Sequence, residues 1–143
     1  MERVMGIDYG MSKVGIAVND ELNITAMPIT TIMHKGNEKL LFSEIEKYIK
    51  QYNIAKIVVG MPINMNGSKG ERVEATEKFI QKIIHKFKIE VDTIDERLTT
   101  MYSNRILNEL GVKSKKKKKV EDTMAAVYIL QNYIDKTKNY GIL

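Results

Sequence analysis

The sequence contains no cysteine, which excludes disulfide bonds, thiolate metal sites and a cysteine nucleophile. Its two histidines, His34 and His85, lie in polar or lysine-rich stretches that predict surface positions, so Ser-His-Asp catalysis has little support. No apolar run approaches the roughly 20 residues of a membrane helix, and the first six residues lack the regions of a signal peptide. We therefore expect a cytoplasmic protein with no membrane partner.

The positive charge is concentrated in one segment. The chain has 143 residues and a formal net charge of +5, and residues 113–119 carry six lysines, so the remainder has a net charge of −1. A block of like charge usually stays solvated. It is either an inert loop or a flexible electrostatic contact for phosphates. We expect a mobile basic loop at about 112–120 within a single domain that spans residues 1–143.

The hydrophobic pattern predicts an α/β fold. Short apolar stretches and helical spacing of apolar residues alternate along the chain. The predicted strands are residues 3–9, 14–18, 24–33, 55–60 and 90–95, and the predicted helices are residues 38–52, 71–87, 98–110 and 124–133. The first three strands predict an antiparallel meander, and the later alternation predicts a parallel portion. The product is one mixed five-stranded sheet with helices on both faces.

Three acidic residues lie where such sheets place their sites, at the carboxyl ends of strands and the start of a helix. Asp8 ends the first strand, Glu96 follows the last, and Asp122 precedes the final apolar helix. Each also has a structural alternative: a turn for Asp8, an ion pair with Arg97 for Glu96, and a helix cap for Asp122. Three convergent carboxylates without histidine or cysteine suit a hard cation such as Mg²⁺ or Mn²⁺.

Four segments in order resemble the motifs of the YqgF (RuvX) family. They are Met5-Gly6-Ile7-Asp8-Tyr9-Gly10 with Val14-Gly15-Ile16-Ala17-Val18, the glycine-containing loop from Val59 to Ser68, Asp95-Glu96-Arg97-Leu98-Thr99-Thr100, and Glu121-Asp122 before Ala125-Ala126. Together they cover roughly residues 4 to 135 and are specific as a set.

The resemblance implies an RNase H-like fold shared with Holliday junction resolvases, and a metal-dependent nuclease that matures the 5′ end of precursor 16S ribosomal RNA. By position, it makes Asp8, Glu96 and Asp122 the metal-binding and catalytic acids. The related resolvases use four acids, and Glu121 or Asp95 is the candidate for the fourth.

Positive residues near these acids are candidates for binding nucleic acid. They are Lys13, Arg97, Lys115, Lys116, Lys117, Lys118 and Lys119. Arg97 suits bidentate contact with a phosphate, and its structural alternative is a salt bridge to Asp95. Lys13 follows the turn after Asp8, where a surface lysine is the alternative.

Several functions share this pattern. The favoured one is a ribonuclease for precursor rRNA, with ribosomal particles as possible partners and a monomer or homodimer as the oligomeric state. The alternatives are a resolvase of branched DNA and a non-catalytic nucleic-acid-binding or ribosome-associated factor. A fourth, an actin-like or sugar-kinase ATPase suggested by Asp8-Tyr9-Gly10 and Gly15, needs two lobes, and 143 residues are too few for both.

Overall fold

The computed structural model of the chain describes residues 2–63, 67, 69–95 and 124–137. The predicted helix at 98–110 and the predicted basic loop at about 112–120 lie outside these residues. The described elements are β1 (Arg3–Asp8), β2 (Lys13–Asn19), β3 (Ala26–Met33), α1 (Glu38–Tyr52), β4 (Ile54–Met61), α2 (Glu71–Phe87), β5 (Glu90–Asp95) and α3 (residues 124–137). Among the described residues, no helix is long and apolar enough to cross a membrane.

The five strands form one mixed sheet in the order β3-β2-β1-β4-β5. β1, β2 and β3 are antiparallel neighbours, whereas β4 pairs parallel with both β1 and β5. This is the predicted arrangement. Pro28 has no backbone N–H to donate, which favours an edge strand or a bulge, and both occur: β3 lies at the sheet edge, and its register with β2 shifts between Ile16 and Ala17, opposite this proline.

Helices cover both faces of the sheet, so it buries two apolar layers. α1 and α2 pack on one face against a cluster that includes Met5, Ile7, Ile57 and Val59. α3 packs on the other face against a second cluster. Its members among the described residues are Val4, Ala17, Ala26, Val58, Ile94, Ala126, Ile129, Leu130 and Ile134. Alternate residues of β1 thus face opposite layers, as the period of a strand requires.

Gly6 allows α3 to lie directly on β1. A Cβ atom at this position would be 2.7 Å from the Cβ of Leu130 and 3.0 Å from the carbonyl oxygen of Ala126. The small residues Ala125 and Ala126 at the start of α3 also favour such a close approach. A glycine is required here for steric reasons, independent of backbone conformation.

α3 runs antiparallel to β1. Ala126 lies beside Gly6, whereas Ile134, further along the helix, packs with Val4 nearer the beginning of the strand. Gln131 bonds to the start of β3: its side-chain oxygen accepts from the Ala26 N–H at 2.9 Å. The first residues of α3 therefore point towards the carboxyl end of β1.

Candidate functional site at the carboxyl edge of the sheet

Asp8 is the last residue of β1 and lies at the edge where all three parallel strands end. Val4 faces α3, and so would a side chain at Gly6, so the alternation of β1 places the Asp8 side chain on the α3 face as well. It is half-buried, and the residue interacts with its surroundings. The predicted position of Asp8 at a strand end is confirmed.

Glycines flank Asp8 on both neighbouring strands. Gly15 of β2 is its direct partner. On β4, Ile7 pairs with Val59, so the next residue, Gly60, is level with Asp8. Residues in one row of a sheet project from the same face, so a side chain at either glycine would stand beside the aspartate carboxylate. In this row of the sheet, neither neighbour of Asp8 therefore carries a side chain.

Lys13 is the first residue of β2 and lies across the turn from Asp8. It pairs in register with Met33 and is half-buried. Asp8 and Lys13 are the two predicted site residues that the structure describes, and it brings both to the β1–β2 turn. Glu96, Arg97, Asp122 and Lys115 to Lys119 lie outside the described residues.

Asp95, one of two candidates for a fourth acid, lies on the wrong face. It is the last residue of β5 and pairs in register with Met61. Ile94 belongs to the α3 layer, whereas Thr93 lines a groove with residues of α2, so the alternation puts Asp95 on the α2 face. That is the face opposite to Asp8.

The turn after Asp8 is anchored by aromatic stacking. The Tyr9 ring stacks on Phe79 of α2 with a centroid distance of 4.2 Å, so this ring packs within the protein. Burial raises the pKa of the Tyr9 phenol, Glu38 adds to the effect and Lys82 opposes it. The phenol therefore stays neutral at physiological pH. At the tip of the turn, Met11 is exposed.

His34 was predicted to be a surface residue, and this prediction is wrong. Its side chain is buried, and its Nε2 lies 2.8 Å from the carbonyl oxygen of Gly10 in the turn after Asp8. The surrounding sequence is polar because it forms a turn and a helix cap, and it carries no signal that the histidine folds inward. His85, by contrast, is exposed as predicted.

A family model for RuvX, described as Holliday junction resolvase, matches residues 2–136 of the chain. The chain belongs to the RuvX family.

Named relatives agree with this assignment to RuvX. A protein of Ruminiclostridium cellulolyticum called "Putative pre-16S rRNA nuclease" is 46% identical over 134 residues, which are 94% of this chain and 94% of that one. A protein of Acetivibrio thermocellus with the same name is 45% identical over 134 residues, covering 93% of this chain and 95% of the relative.

Solved structures of Holliday junction resolvases share the fold. RuvC of T. thermophilus, determined in complex with a Holliday junction substrate, has a TM-score of 0.56 at 12% identity and covers 96% of each chain. The fowlpox virus Holliday junction resolvase has a TM-score of 0.55 at 11% identity, covering 94% of this chain and 99% of that one. The expected RNase H-like fold of this RuvX family member is therefore confirmed.

Proposed function

We propose that this protein is a metal-dependent nuclease that hydrolyses phosphodiester bonds and matures the 5′ end of precursor 16S rRNA. The observation that carries the proposal is the convergence of three elements at one sheet edge: the Asp8 carboxylate, the end of β5 and the start of α3. The names of the relatives supply the substrate. We place the activity in the cytoplasm, in a single domain of residues 1–143, on RNA within ribosomal particles.

Asp122 is proposed to come level with Asp8 because of the direction of α3. It precedes Ala126 by four residues, so a helical continuation places it about 6 Å further along the helix axis. Asp8 lies two residues beyond Gly6, or about 6.6 Å further along the strand. Since Ala126 and Gly6 are in contact, the two carboxylates would meet at the same height. Asp122 also continues the i, i+4 spacing of Ala126 and Leu130, which face β1.

Glu96 is proposed to join them from β5. It directly follows Asp95, so its Cα lies about 3.8 Å from the end of the strand. The alternation that places Asp92 and Ile94 on the α3 face would place Glu96 there too. β4 lies between β1 and β5, so their backbones are about 9.6 Å apart. The carboxylates of Asp8 and Glu96 would be closer than this if both side chains lean towards β4.

The proposed donor set fits a divalent cation. Within the described parts of the chain, no three His, Cys, Asp or Glu side chains are placed to hold a metal ion. We propose that Glu96 and Asp122 complete the donor set with Asp8. Carboxylate oxygens are the ligands that Mg²⁺ and Mn²⁺ prefer, and the glycines on both sides of Asp8 add no side chain to that row of the sheet. When bound, the cation would supply the charge that activates water and stabilises the leaving oxygen.

The basic residues have a separate role in the proposal. Lys13 stands across the turn from Asp8, and we propose that it contacts the phosphate backbone together with Arg97 and Lys115 to Lys119. Phosphate contacts of this kind give affinity without selecting sequence.

The test is a cleavage assay with purified protein. The substrates are precursor 16S RNA with its 5′ extension, a four-way DNA junction and single-stranded RNA, each with Mg²⁺, Mn²⁺ or EDTA. We expect cleavage of the precursor RNA that EDTA abolishes. Preferential cleavage of the junction would instead assign a resolvase activity, which the description of the family model favours as the second candidate.

Asp8→Asn is the decisive variant. The amide keeps the shape of the side chain but loses the charge that holds the cation, so cleavage should be lost while the fold persists. Relief of repulsion among the carboxylates should also raise the melting temperature of the metal-free protein. Asp135→Asn is the matched control, because Asp135 is exposed on the last turn of α3 and its contact with Gln131 needs only an acceptor. Full activity of Asp8→Asn in a nuclease-free preparation would contradict the assignment.

A further inference from the structure

The β1–β2 turn that follows Asp8 is held by three hydrogen bonds from the segment after β3. The Nε2 of His34 lies 2.8 Å from the Gly10 carbonyl oxygen. The backbone N–H groups of His34 and Lys35 both donate to the Ser12 carbonyl oxygen, at 3.0 and 2.9 Å. Residues 10–12 are thus tied to a different part of the chain, directly beyond the proposed metal-binding aspartate.

The hydrogen bonds assign one tautomer to the His34 ring. The Gly36 N–H donates to Nδ1 at 3.1 Å, so Nδ1 has no proton. Nε2 therefore carries the proton and donates it to the Gly10 carbonyl. The side chain is 4% exposed and stacks on Tyr9 with a centroid distance of 6.4 Å, so both ring nitrogens are used within the protein.

The backbone around His34 is itself fixed. Lys35 and Gly36 have φ angles of 49° and 81°, and the Asn37 N–H donates to the His34 carbonyl oxygen at 2.8 Å, as in a type I′ turn. The Asn37 side chain then caps α1 by accepting from the Leu40 N–H. The imidazole thus projects from a turn locked between β3 and α1.

We propose that His34 is a positioning residue for the nuclease site: its Nε2–H holds the Gly10 carbonyl and so fixes the direction in which the Asp8 carboxylate leaves β1. This inference rests on the proposed nuclease function. A catalytic group that moves by about 1 Å loses up to roughly a hundredfold in rate, so the bond should affect turnover more than substrate affinity.

Two substitutions separate the hydrogen bond made by Nε2 of His34 from the one made by Nδ1. In His34→Gln the side-chain nitrogen is four bonds from Cα, as Nε2 is, so it can still donate to Gly10. In His34→Asn the side-chain oxygen is three bonds from Cα, as Nδ1 is, so it can accept from Gly36 but cannot reach Gly10. Both variants lose the stacking on Tyr9, which makes each the control for the other.

The variants are compared with wild type by kcat and KM on precursor 16S RNA, by thermal unfolding, and by amide hydrogen exchange at residues 9–13. We expect His34→Asn to lower kcat by about 10- to 100-fold with KM within about twofold, and to accelerate exchange in the turn. His34→Gln should keep kcat within about threefold and keep the turn protected, although both variants lose similar thermal stability.

If kcat falls equally in the two variants, in parallel with their thermal stability, His34 has only a structural role and the inference is overturned. An unchanged kcat or unchanged exchange in His34→Asn would overturn it as well. Nitrogen NMR of the wild-type histidines gives a check that needs no variant, and an Nδ1–H tautomer at His34 would contradict the proposal. Absence of cleavage by wild type, seen before any variant is made, would instead reject the nuclease function on which the inference depends.

Discussion

Replacing Gly6 with alanine tests how closely α3 lies on the sheet. The added Cβ atom would be 2.7 Å from the Cβ of Leu130 and 3.0 Å from the carbonyl oxygen of Ala126. Non-bonded carbons settle at about 3.5–4.0 Å, so α3 must move outwards by roughly 1 Å. Neither contacting atom is the end of a flexible side chain, so the strain cannot be relieved by a change of rotamer.

This displacement of α3 lowers the stability of the Gly6→Ala variant. A gap of about 0.5–1 Å forfeits a quarter to a half of each dispersion contact across the interface, and overpacking of a core typically costs about 1–3 kcal/mol. Alanine also restricts the unfolded chain, which offsets about 0.4–1 kcal/mol. We therefore expect Gly6→Ala to lower the free energy of unfolding by about 1–2 kcal/mol. With a urea m value of about 2 kcal/mol/M, the midpoint falls by about 0.5–1 M.

The assay is urea unfolding, followed by amide hydrogen exchange in α3. Gly36→Ala is the matched control: nothing lies within 4 Å of its added Cβ, and its φ of 81° costs about 1–2 kcal/mol through the backbone alone. Gly6→Ala should accelerate exchange at residues 126–134 more than in the other elements, whereas Gly36→Ala should not affect α3 more than the rest of the sheet. A Gly6→Ala variant with wild-type stability and unchanged exchange in α3 would refute the reasoning from close packing.

Two further predictions concern charge. Tyr133 accepts a hydrogen bond from Lys56 at 2.9 Å and donates one to Asp92 at 2.7 Å, so Tyr133→Phe should cost about 1–2 kcal/mol at pH 8. The hydrogen bond to Tyr133 is the main cause that raises the pKa of Lys56, and burial raises the pKa of Tyr133. Because both pKa values are higher in the folded than in the unfolded protein, the stabilisation from both groups is complete below about pH 10. At higher pH the unfolded chain loses these protons first, and the free energy of unfolding falls. Between pH 8 and pH 10.5, the free energy of unfolding in urea should fall less in Tyr133→Phe than in wild type. Equal decreases would contradict a contribution of Tyr133 to this pH dependence. Replacing Lys115 to Lys119 with Ser or Gln should weaken RNA binding. The slope of log K against log salt concentration should become shallower by about 0.7–0.9 for each phosphate contact that is lost. Cleavage of saturating RNA should be preserved better than affinity. Superimposable binding curves over a salt series would remove this segment from the mechanism.

The sequence by itself determined the described elements and their order. The short apolar runs of β1 and β2, the helical stripe of α1 and the continuous apolar core of β4 are local patterns that the buried faces require. The position of Asp8 at a strand end follows from the same pattern. Pro28 likewise identified an edge strand, because it cannot donate to the ladder.

Only the tertiary structure decided which residues meet across long separations. Gly15 and Gly60 flank Asp8 because β2 and β4 pair with β1 in one particular register, and no local pattern fixes a register between distant strands. Asp95 faces away from Asp8 for the same reason. His34 looked like a surface residue because its neighbours in sequence are polar, and its burial depends on a turn 24 residues earlier whose carbonyl needed a donor.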